Sequence, residues 1–124
     1  MKKSKYLTLK IPYRMKVKDI AQKMNLKVYS CEDALENSVT GGYSSDLLSD
    51  VMGHSKEGQL WITLQTHKNI IGVASLRDLS AIILVKGFTP DLETIKLSQS
   101  ENIPILGSDL DAFELCGELY QLLK

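Results

Sequence analysis

The sequence has few of the features that mark membrane, secreted or disulfide-rich proteins. Its two cysteines, Cys31 and Cys116, lie far apart and form neither a C-x-x-C motif nor a disulfide framework. No apolar run approaches the roughly 18 residues of a transmembrane helix, and no apolar segment follows the N-terminal lysines as it does in a secretory signal. We therefore expect a cytoplasmic domain with reduced thiols and no membrane partner.

The familiar signatures of catalysis are also absent. There is no Walker motif, no G-x-G-x-x-G turn after a strand and no G-x-S-x-G elbow, and the spacing suggests no Ser-His-Asp or Cys-His arrangement. His54 and His67 join the two cysteines as metal-ligating side chains, but none of the four is paired at the local spacing of a zinc site. The sequence predicts no metal, no cofactor and no nucleoside triphosphatase activity.

Positive charge is scarce outside the N-terminal segment. The chain carries 15 basic and 15 acidic side chains, yet residues 1–14 hold five basic groups and no acidic one, which leaves ten basic and fifteen acidic residues in the rest. This balance argues against a nucleic-acid partner, because phosphate binding requires clustered Lys and Arg. We interpret residues 1–14 as a basic N-terminal extension, with a solvated tail, an edge strand and an electrostatic tether as its alternatives.

Apolar periodicity predicts alternating strands and helices. Strand-like segments cover residues 6–11, 26–29, 59–65, 81–85 and 103–106. Helix-like segments cover residues 17–24, 45–52, 69–79, a stretch after residue 89 and a stretch after residue 111. The predicted fold is a single α/β domain with a largely parallel sheet and helices on both faces.

Local signals predict where some of these helices begin and which face they bury. Thr89 is expected to be an N-cap, with Pro90 at the first helical position. Gly53 is placed to end the helix over residues 45–52. The expected apolar stripe of the last helix is Leu110, Phe113, Gly117, Tyr120 and Leu123.

The run Thr40-Gly41-Gly42 is the first candidate site, and we expect it to form a turn. Each glycine costs ordering entropy and adds no side chain to a core, so the pair needs another reason. That reason is either a positive φ angle or a close approach of the backbone to a ligand or a partner.

The loops at the carboxyl ends of the predicted strands are the second candidate. Ligands of parallel sheets bind beyond these ends, and each loop leads into a helix N-terminus, which favours anions. Thr66, His67 and Asn69 lie in one such loop, whereas ordinary helix capping accounts for the loops at 86–89 and 107–109. No carboxylate that would orient His67 can be identified in the sequence, so binding is favoured over catalysis.

Four stretches resemble the DRTGG domain family, in particular its small stand-alone members. They read V-T-G-G-Y-S-S-D-L-L-S-D-V-M, L-W-I-T-L-Q-T-H-K-N-I-I-G-V-A, I-I-L-V-K-G-x-x-P-D-x-E-T-I and I-P-I-L-G, and the resemblance spans residues 15–123. The naming motif is partly kept. Thr40, Gly41 and Gly42 match its last three positions, while Ser38 and Val39 stand where the family has an acidic residue and an Arg.

The resemblance implies a fold and a class of function. It implies an α/β domain over residues 15–124, similar to the N-terminal domain of HPr kinase/phosphorylase. In the family this domain also accompanies CBS domains and phosphate acetyltransferases, as a regulatory or interaction module. The kinase site of HPr kinase lies in a different domain, so no kinase activity is implied. Stand-alone members accompany iron-only hydrogenase or electron-transfer systems.

Two hypotheses follow from the residues and the resemblance. In the first, the protein is a non-catalytic regulatory module that binds a small anionic ligand, such as a nucleotide or a phosphorylated metabolite, or a protein partner. The residues expected to bind are Thr40, Gly41, Gly42, Thr66, His67 and Asn69. In the second, the protein is a homodimer or larger scaffold whose Gly-Gly turn forms the subunit contact. A small enzyme that uses His67 is a third alternative.

Overall fold

The computed structural model describes residues 14–124, which form a five-stranded sheet covered by helices. The strands are β1 (Lys27–Ser30), β2 (Gly41–Ser44), β3 (Gln59–Thr63), β4 (Ala81–Leu84) and β5 (Ile105–Gly107). The helices are α1 (Val17–Lys23), α2 (Leu48–His54), α3 (Asn69–Leu76), α4 (Leu92–Glu101) and α5 (Ala112–Leu123). A short 3-10 turn over Glu32–Ala34 follows β1. The strand predicted over residues 6–11 lies outside the described residues.

The sheet has the strand order β1-β5-β4-β3-β2. Strands β2 to β5 run parallel to one another, and β1 pairs with β5 in the antiparallel direction. Because β3 and β4 are apolar runs, they occupy the centre, where both faces of a strand are buried. The prediction of a largely parallel sheet is confirmed.

Two apolar layers enclose the sheet. On one face, α1 and α5 pack Val17, Ile20, Leu115 and Leu119 against the sheet. The sheet residues of this layer are Leu60, Ile62, Ala81, Ile83, Val85 and Leu106. On the other face, residues of α2, α3 and α4 pack against Trp61, Ile82, Leu84 and Ile105. Helices on both faces are therefore confirmed.

The Gly41–Gly42 pair lies in a strand, so the prediction of a turn was wrong. Both glycines belong to β2, with Gly41 opposite Gln59 and Gly42 opposite Leu60 of β3. The sequence signal was misleading because glycine weakens a strand, and only pairing with a neighbouring strand overrides that preference. The helix that follows begins at Leu48 and contains Gly53 rather than ending at it.

The start of α4 was also predicted too early. Thr89 and Pro90 precede the helix, and Asp91 occupies the N-cap position with extended backbone. The Asp91 N–H donates to the Thr66 carbonyl at 3.1 Å. This contact with the loop after β3 keeps the chain extended for two residues longer than the local signals indicate.

Helix α5 buries a different stripe from the predicted one. Leu115 and Leu119 are buried, whereas the side chains of Phe113 and Tyr120 are 88% and 69% exposed. The helix carries apolar residues on two adjacent faces, and periodicity alone does not decide which of them meets the sheet. Every helix within residues 14–124 is too short or too polar to cross a membrane.

Candidate functional site

The six predicted site residues separate into two groups at opposite ends of β3. Gly41 and Gly42 lie beside the first residues of β3, and Thr40 precedes them. Thr66, His67 and Asn69 follow its last residue. The four residue steps of β3 alone span about 13 Å. One small ligand would therefore not contact both groups, and each group must be considered separately.

The group after β3 is bonded to the start of α4. The Thr66 carbonyl accepts a hydrogen bond from the Thr94 hydroxyl at 2.8 Å and a second from the Asp91 N–H. The His67 Nδ1 lies 2.7 Å from the Asp91 carboxylate, with the two side chains 70% and 49% exposed. Asp91 is the orienting carboxylate that could not be identified in the sequence, because 24 residues separate it from His67.

This end of the sheet is poorly suited to an anion. The Asp91 carboxylate lies against His67, where it repels a negative ligand. The Asp46 carboxylate accepts from the Thr63 hydroxyl and the Leu64 N–H, both at 2.8 Å. Since α2, α3 and α4 pack on the same face, the described parallel strands also lack the crevice that forms where crossovers change face. These contacts indicate that the loops hold the fold together.

The group before and within β2 lines a cleft between β2 and α5. The cleft has a volume of about 430 Å³. The β2 side consists of residues 40–44, and β3 adds Gln59 and Ile62. The α5 side is formed by Cys116, Leu119, Tyr120, Leu123 and Lys124. The cleft thus combines an apolar wall with hydroxyl groups and backbone of an edge strand.

The geometry of Gly41 and Gly42 explains only part of their presence. Neither has a positive φ angle, since the glycines with positive φ among the described residues are Gly58 and Gly87. A Cβ atom on Gly42 would meet the Ile62 Cδ1 at 3.5 Å, and one on Gly41 would meet the Gln59 Nε2 at 3.9 Å. Both are ordinary contacts. The sequence offered two reasons for the glycine pair. A positive φ angle is excluded, and the close approach of a ligand or a partner to the backbone remains.

Thr40 has a structural role at the entrance to β2. Its hydroxyl donates to the Glu57 carbonyl at 2.8 Å, and its N–H donates to the Gly58 carbonyl at 2.9 Å. The side chain lies so close to Gly58 that a Cβ there would be 2.6 Å from the Thr40 Cγ2. These contacts connect the start of β2 to the loop before β3.

Two ionisable groups beside β2 have perturbed pKa values. The Tyr43 hydroxyl donates to the Asp50 carboxylate at 2.9 Å. Burial, reinforced by this carboxylate, raises the pKa of Tyr43. Hydrogen bonds from the Ser45 and Tyr43 hydroxyls lower the pKa of Asp50. The phenol therefore stays protonated and the carboxylate stays charged near neutral pH, and together they join β2 to α2.

The α5 side of the cleft was not predicted as part of a site. Tyr120 and Leu123 were assigned to the buried stripe of the helix. Cys116 is partly buried, so its sulfur packs against the core and also lines the cleft. The sequence signal for this wall was the second apolar face of the helix. Within residues 14–124 there is no group of three His, Cys, Asp or Glu side chains that could hold a metal.

Two comparisons with known proteins bear on this geometry. The sequence profile of the DRTGG domain matches residues 19–122. Among solved structures, the chain is similar to the CBS and DRTGG domains of the regulatory region of Clostridium perfringens pyrophosphatase, a structure complexed with the activator diadenosine tetraphosphate. The TM-score is 0.68 at 18% sequence identity, and the match covers 87% of this chain and 47% of that chain. No curated protein matches the chain.

Proposed function

The chain belongs to the DRTGG domain family, and we propose that it is a non-catalytic regulatory module that binds a nucleotide in the cleft between β2 and α5. The observation that carries this proposal is the cleft itself. Its wall includes an exposed aromatic ring, Tyr120, opposite a strand whose two glycines leave the backbone open. A planar base fits between such surfaces, because its face stacks on the aromatic ring and its edge bonds to backbone groups.

The polar groups at the cleft suit the rest of a nucleotide. Thr40 and Ser44 bring hydroxyl groups to its β2 side, and Lys124 supplies a positive charge. The pyrophosphatase region with the same fold was crystallised with a dinucleotide activator, so nucleotides are the first class to test. The loop with Thr66, His67 and Asn69 takes no part in this proposal. At that end of the sheet the Asp91 carboxylate repels a negatively charged ligand, and the Asp46 carboxylate already accepts a hydrogen bond from the Thr63 hydroxyl.

A pair of substitutions on α5 tests the proposal. Tyr120→Ala removes the stacking surface, and we expect it to weaken binding of ATP, AMP or diadenosine tetraphosphate by about 1–3 kcal/mol. Phe113→Ala removes an aromatic ring that is even more exposed but lies outside the cleft, so it should leave binding unchanged. Thermal shift measures both, since a ligand at about one hundred times its Kd adds about 2.7 kcal/mol of stability.

A chemical probe places the ligand within the chain. Bound nucleotide should slow alkylation of Cys116, which lines the cleft, and leave Cys31 unaffected. Burial raises the pKa of the Cys31 thiol, so this cysteine reacts slowly in either state. Binding that survives Tyr120→Ala, or that leaves Cys116 reactive, would contradict the proposed site.

A homodimer in which β2 contacts a second copy is the alternative function. The observation in its favour is that β2 is an edge strand with exposed backbone, a surface on which strands from other chains pair. Sedimentation velocity over a range of concentrations would detect the dimer. The association with hydrogenase or electron-transfer systems and the cytoplasmic location, both expected from the sequence, stay predictions.

A further inference from the structure

The hydrogen bonds between β2 and β3 decide which backbone groups of β2 remain free. In a parallel pair, a residue that faces its neighbour bonds to the two residues that flank its register partner. Ile62 is in register with Ser44, and the Ile62 carbonyl accepts from the Ser45 N–H at 3.2 Å. Ile62 therefore faces β2, while the backbone N–H and carbonyl of Ser44 point away from β3.

The same rule applies two residues earlier, at Gly42. Leu60, the register partner of Gly42, faces the same side of β3 as Ile62. The preceding residue agrees with this direction, because the Gln59 carbonyl accepts from the Ser80 N–H, toward β4, at 3.0 Å. Leu60 thus bonds to the neighbours of Gly42, and the Gly42 N–H and carbonyl point to the open edge of the sheet.

This open edge is accessible from the cleft. β2 is the last strand of the sheet, and no strand within residues 14–124 pairs on its outer side. Gly42 and Ser44 are exposed, whereas Gly41 and Tyr43 are half-buried. Gly42 also lines the cleft, together with Ile62 of the neighbouring strand. An unpaired donor and an unpaired acceptor therefore lie side by side at the wall of the cleft.

Packing within the described domain does not require glycine at position 42. A Cβ there would meet the Ile62 Cδ1 at 3.5 Å and the Leu60 carbonyl oxygen at 3.9 Å, which are ordinary contacts. Since Ile62 lines the cleft, such a Cβ would occupy part of it. Glycine keeps this space open and lets a flat ring approach the strand backbone. Of the two glycines, Gly42 is the one whose backbone a ligand can use.

We propose that Gly42 binds the Watson–Crick edge of an adenine base, an inference that rests on the nucleotide site proposed above. The Gly42 N–H donates to N1 of the base, and the Gly42 carbonyl accepts from the N6 amine. The face of the base stacks on Tyr120, which lines the same cleft. The backbone of β2 then determines which base the cleft accepts.

The number of hydrogen-bonding groups favours adenine over the other bases. One residue offers one backbone donor and one backbone acceptor. The Watson–Crick edge of adenine has one of each, the N6 amine and N1. Guanine adds a second donor, its N2 amine, and cytosine and uracil add a second acceptor, their O2 carbonyl. A group left unpaired against the protein weakens binding, so these bases should bind less tightly than adenine.

Calorimetric titration of the unmodified chain with four nucleotides tests the base. AMP should bind about ten-fold more tightly than GMP, whose N2 amine stays unpaired. N6,N6-dimethyl-AMP keeps the stacking face but lacks the N6–H donor, and it should bind about ten-fold more weakly than AMP. The matched control is 7-deaza-AMP, which is changed outside the Watson–Crick edge and should bind as AMP does.

Two substitutions at position 42 test the residue. Gly42→Pro removes the N–H that points to the open edge, where an edge strand tolerates proline. The ratio of the AMP and GMP affinities should then fall to about one, because adenine N1 loses its donor. Gly42→Ala is the matched control. Its Cβ narrows the cleft and lowers both affinities, but its N–H remains, so the ratio should stay near that of the unmodified chain.

The outcomes separate this inference from the nucleotide site itself. The expected order of affinities, lost in Gly42→Pro and kept in Gly42→Ala, supports binding of adenine by Gly42. Equal affinities of the four nucleotides, with binding still dependent on Tyr120, overturn it and leave the nucleotide site in place. A ratio that survives Gly42→Pro also overturns it. If none of the four nucleotides binds the unmodified chain, both the site and this inference are wrong.

Discussion

At the scale of single residues, Gly58 is the position where backbone conformation and packing both demand glycine. Its φ angle is +83°, and a Cβ would lie 2.6 Å from the Thr40 Cγ2. Its carbonyl accepts from the Thr40 N–H and from the Ser80 hydroxyl, both at 2.9 Å. Gly58 therefore brings together the entrance of β2, the start of β3 and the segment before β4.

We expect Gly58→Ala to lower the free energy of unfolding by about 1–3 kcal/mol, because an alanine there is strained and crowds Thr40. Gly72→Ala is the matched control. Gly72 lies exposed in α3 with nothing within 4 Å of an added Cβ, so alanine should raise stability by up to about 1 kcal/mol. Urea denaturation measures both changes. Equal effects of the two substitutions would show that neither strain nor crowding acts at Gly58.

At the scale of secondary-structure elements, α5 has two functions on two faces. Leu115 and Leu119 hold the helix to the sheet, while Tyr120 borders the cleft and Phe113 faces solvent. The stripe predicted from the sequence included the exposed residues Phe113 and Tyr120, because their spacing is also helical. Leu119 packs in the apolar layer that α5 shares with α1. The free energy gained by burying this side chain decides which face of α5 lies against the sheet.

Substitutions along α5 should separate the two faces. Leu119→Ala removes a buried side chain and should cost about 2–5 kcal/mol of stability. Phe113→Ala removes an exposed ring and should change stability by no more than about 0.5 kcal/mol. Thermal or urea unfolding of the two variants provides the comparison. A large cost for Phe113→Ala would mean that a partner covers this face.

At the scale of the whole molecule, both apolar layers depend on the same sheet. Along β3, Trp61 points into the layer of α2, α3 and α4, while Ile62 points into the layer of α1 and α5. Trp61 is fully buried, and its Nε1 donates to the Ser45 carbonyl at 2.8 Å. Loss of β3 would expose both layers at once, so we expect the described domain to unfold as one unit.

Two probes on opposite faces test this cooperativity. Fluorescence of Trp61, the only tryptophan, reports one layer. Thiol reactivity of Cys116 in a Cys31→Ser background reports the other. The two urea midpoints should coincide, because each layer requires the shared strands. An earlier midpoint for Cys116 would instead show that α5 detaches before the sheet unfolds.

The central strands and the fold class could be predicted from the sequence. The runs L-W-I-T and A-I-I-L consist almost entirely of apolar and β-branched residues. Such strands are stable when both of their faces are buried, whichever elements cover them. Alternation with amphipathic segments then requires helices on both faces. These features depend on local composition and periodicity, which a sequence displays directly.

The candidate site depended on contacts between distant segments. Gly42 became part of a strand because Leu60 lies beside it, and Asp91 came to His67 across 24 residues. The cleft required β2 and α5 to meet, two elements separated by most of the chain. By itself, the sequence determined the central strands, the approximate positions of the helices and the family to which the chain belongs. Tertiary structure alone decided which face of α5 is buried and which residues share a cleft, because burial is a property of packed neighbours.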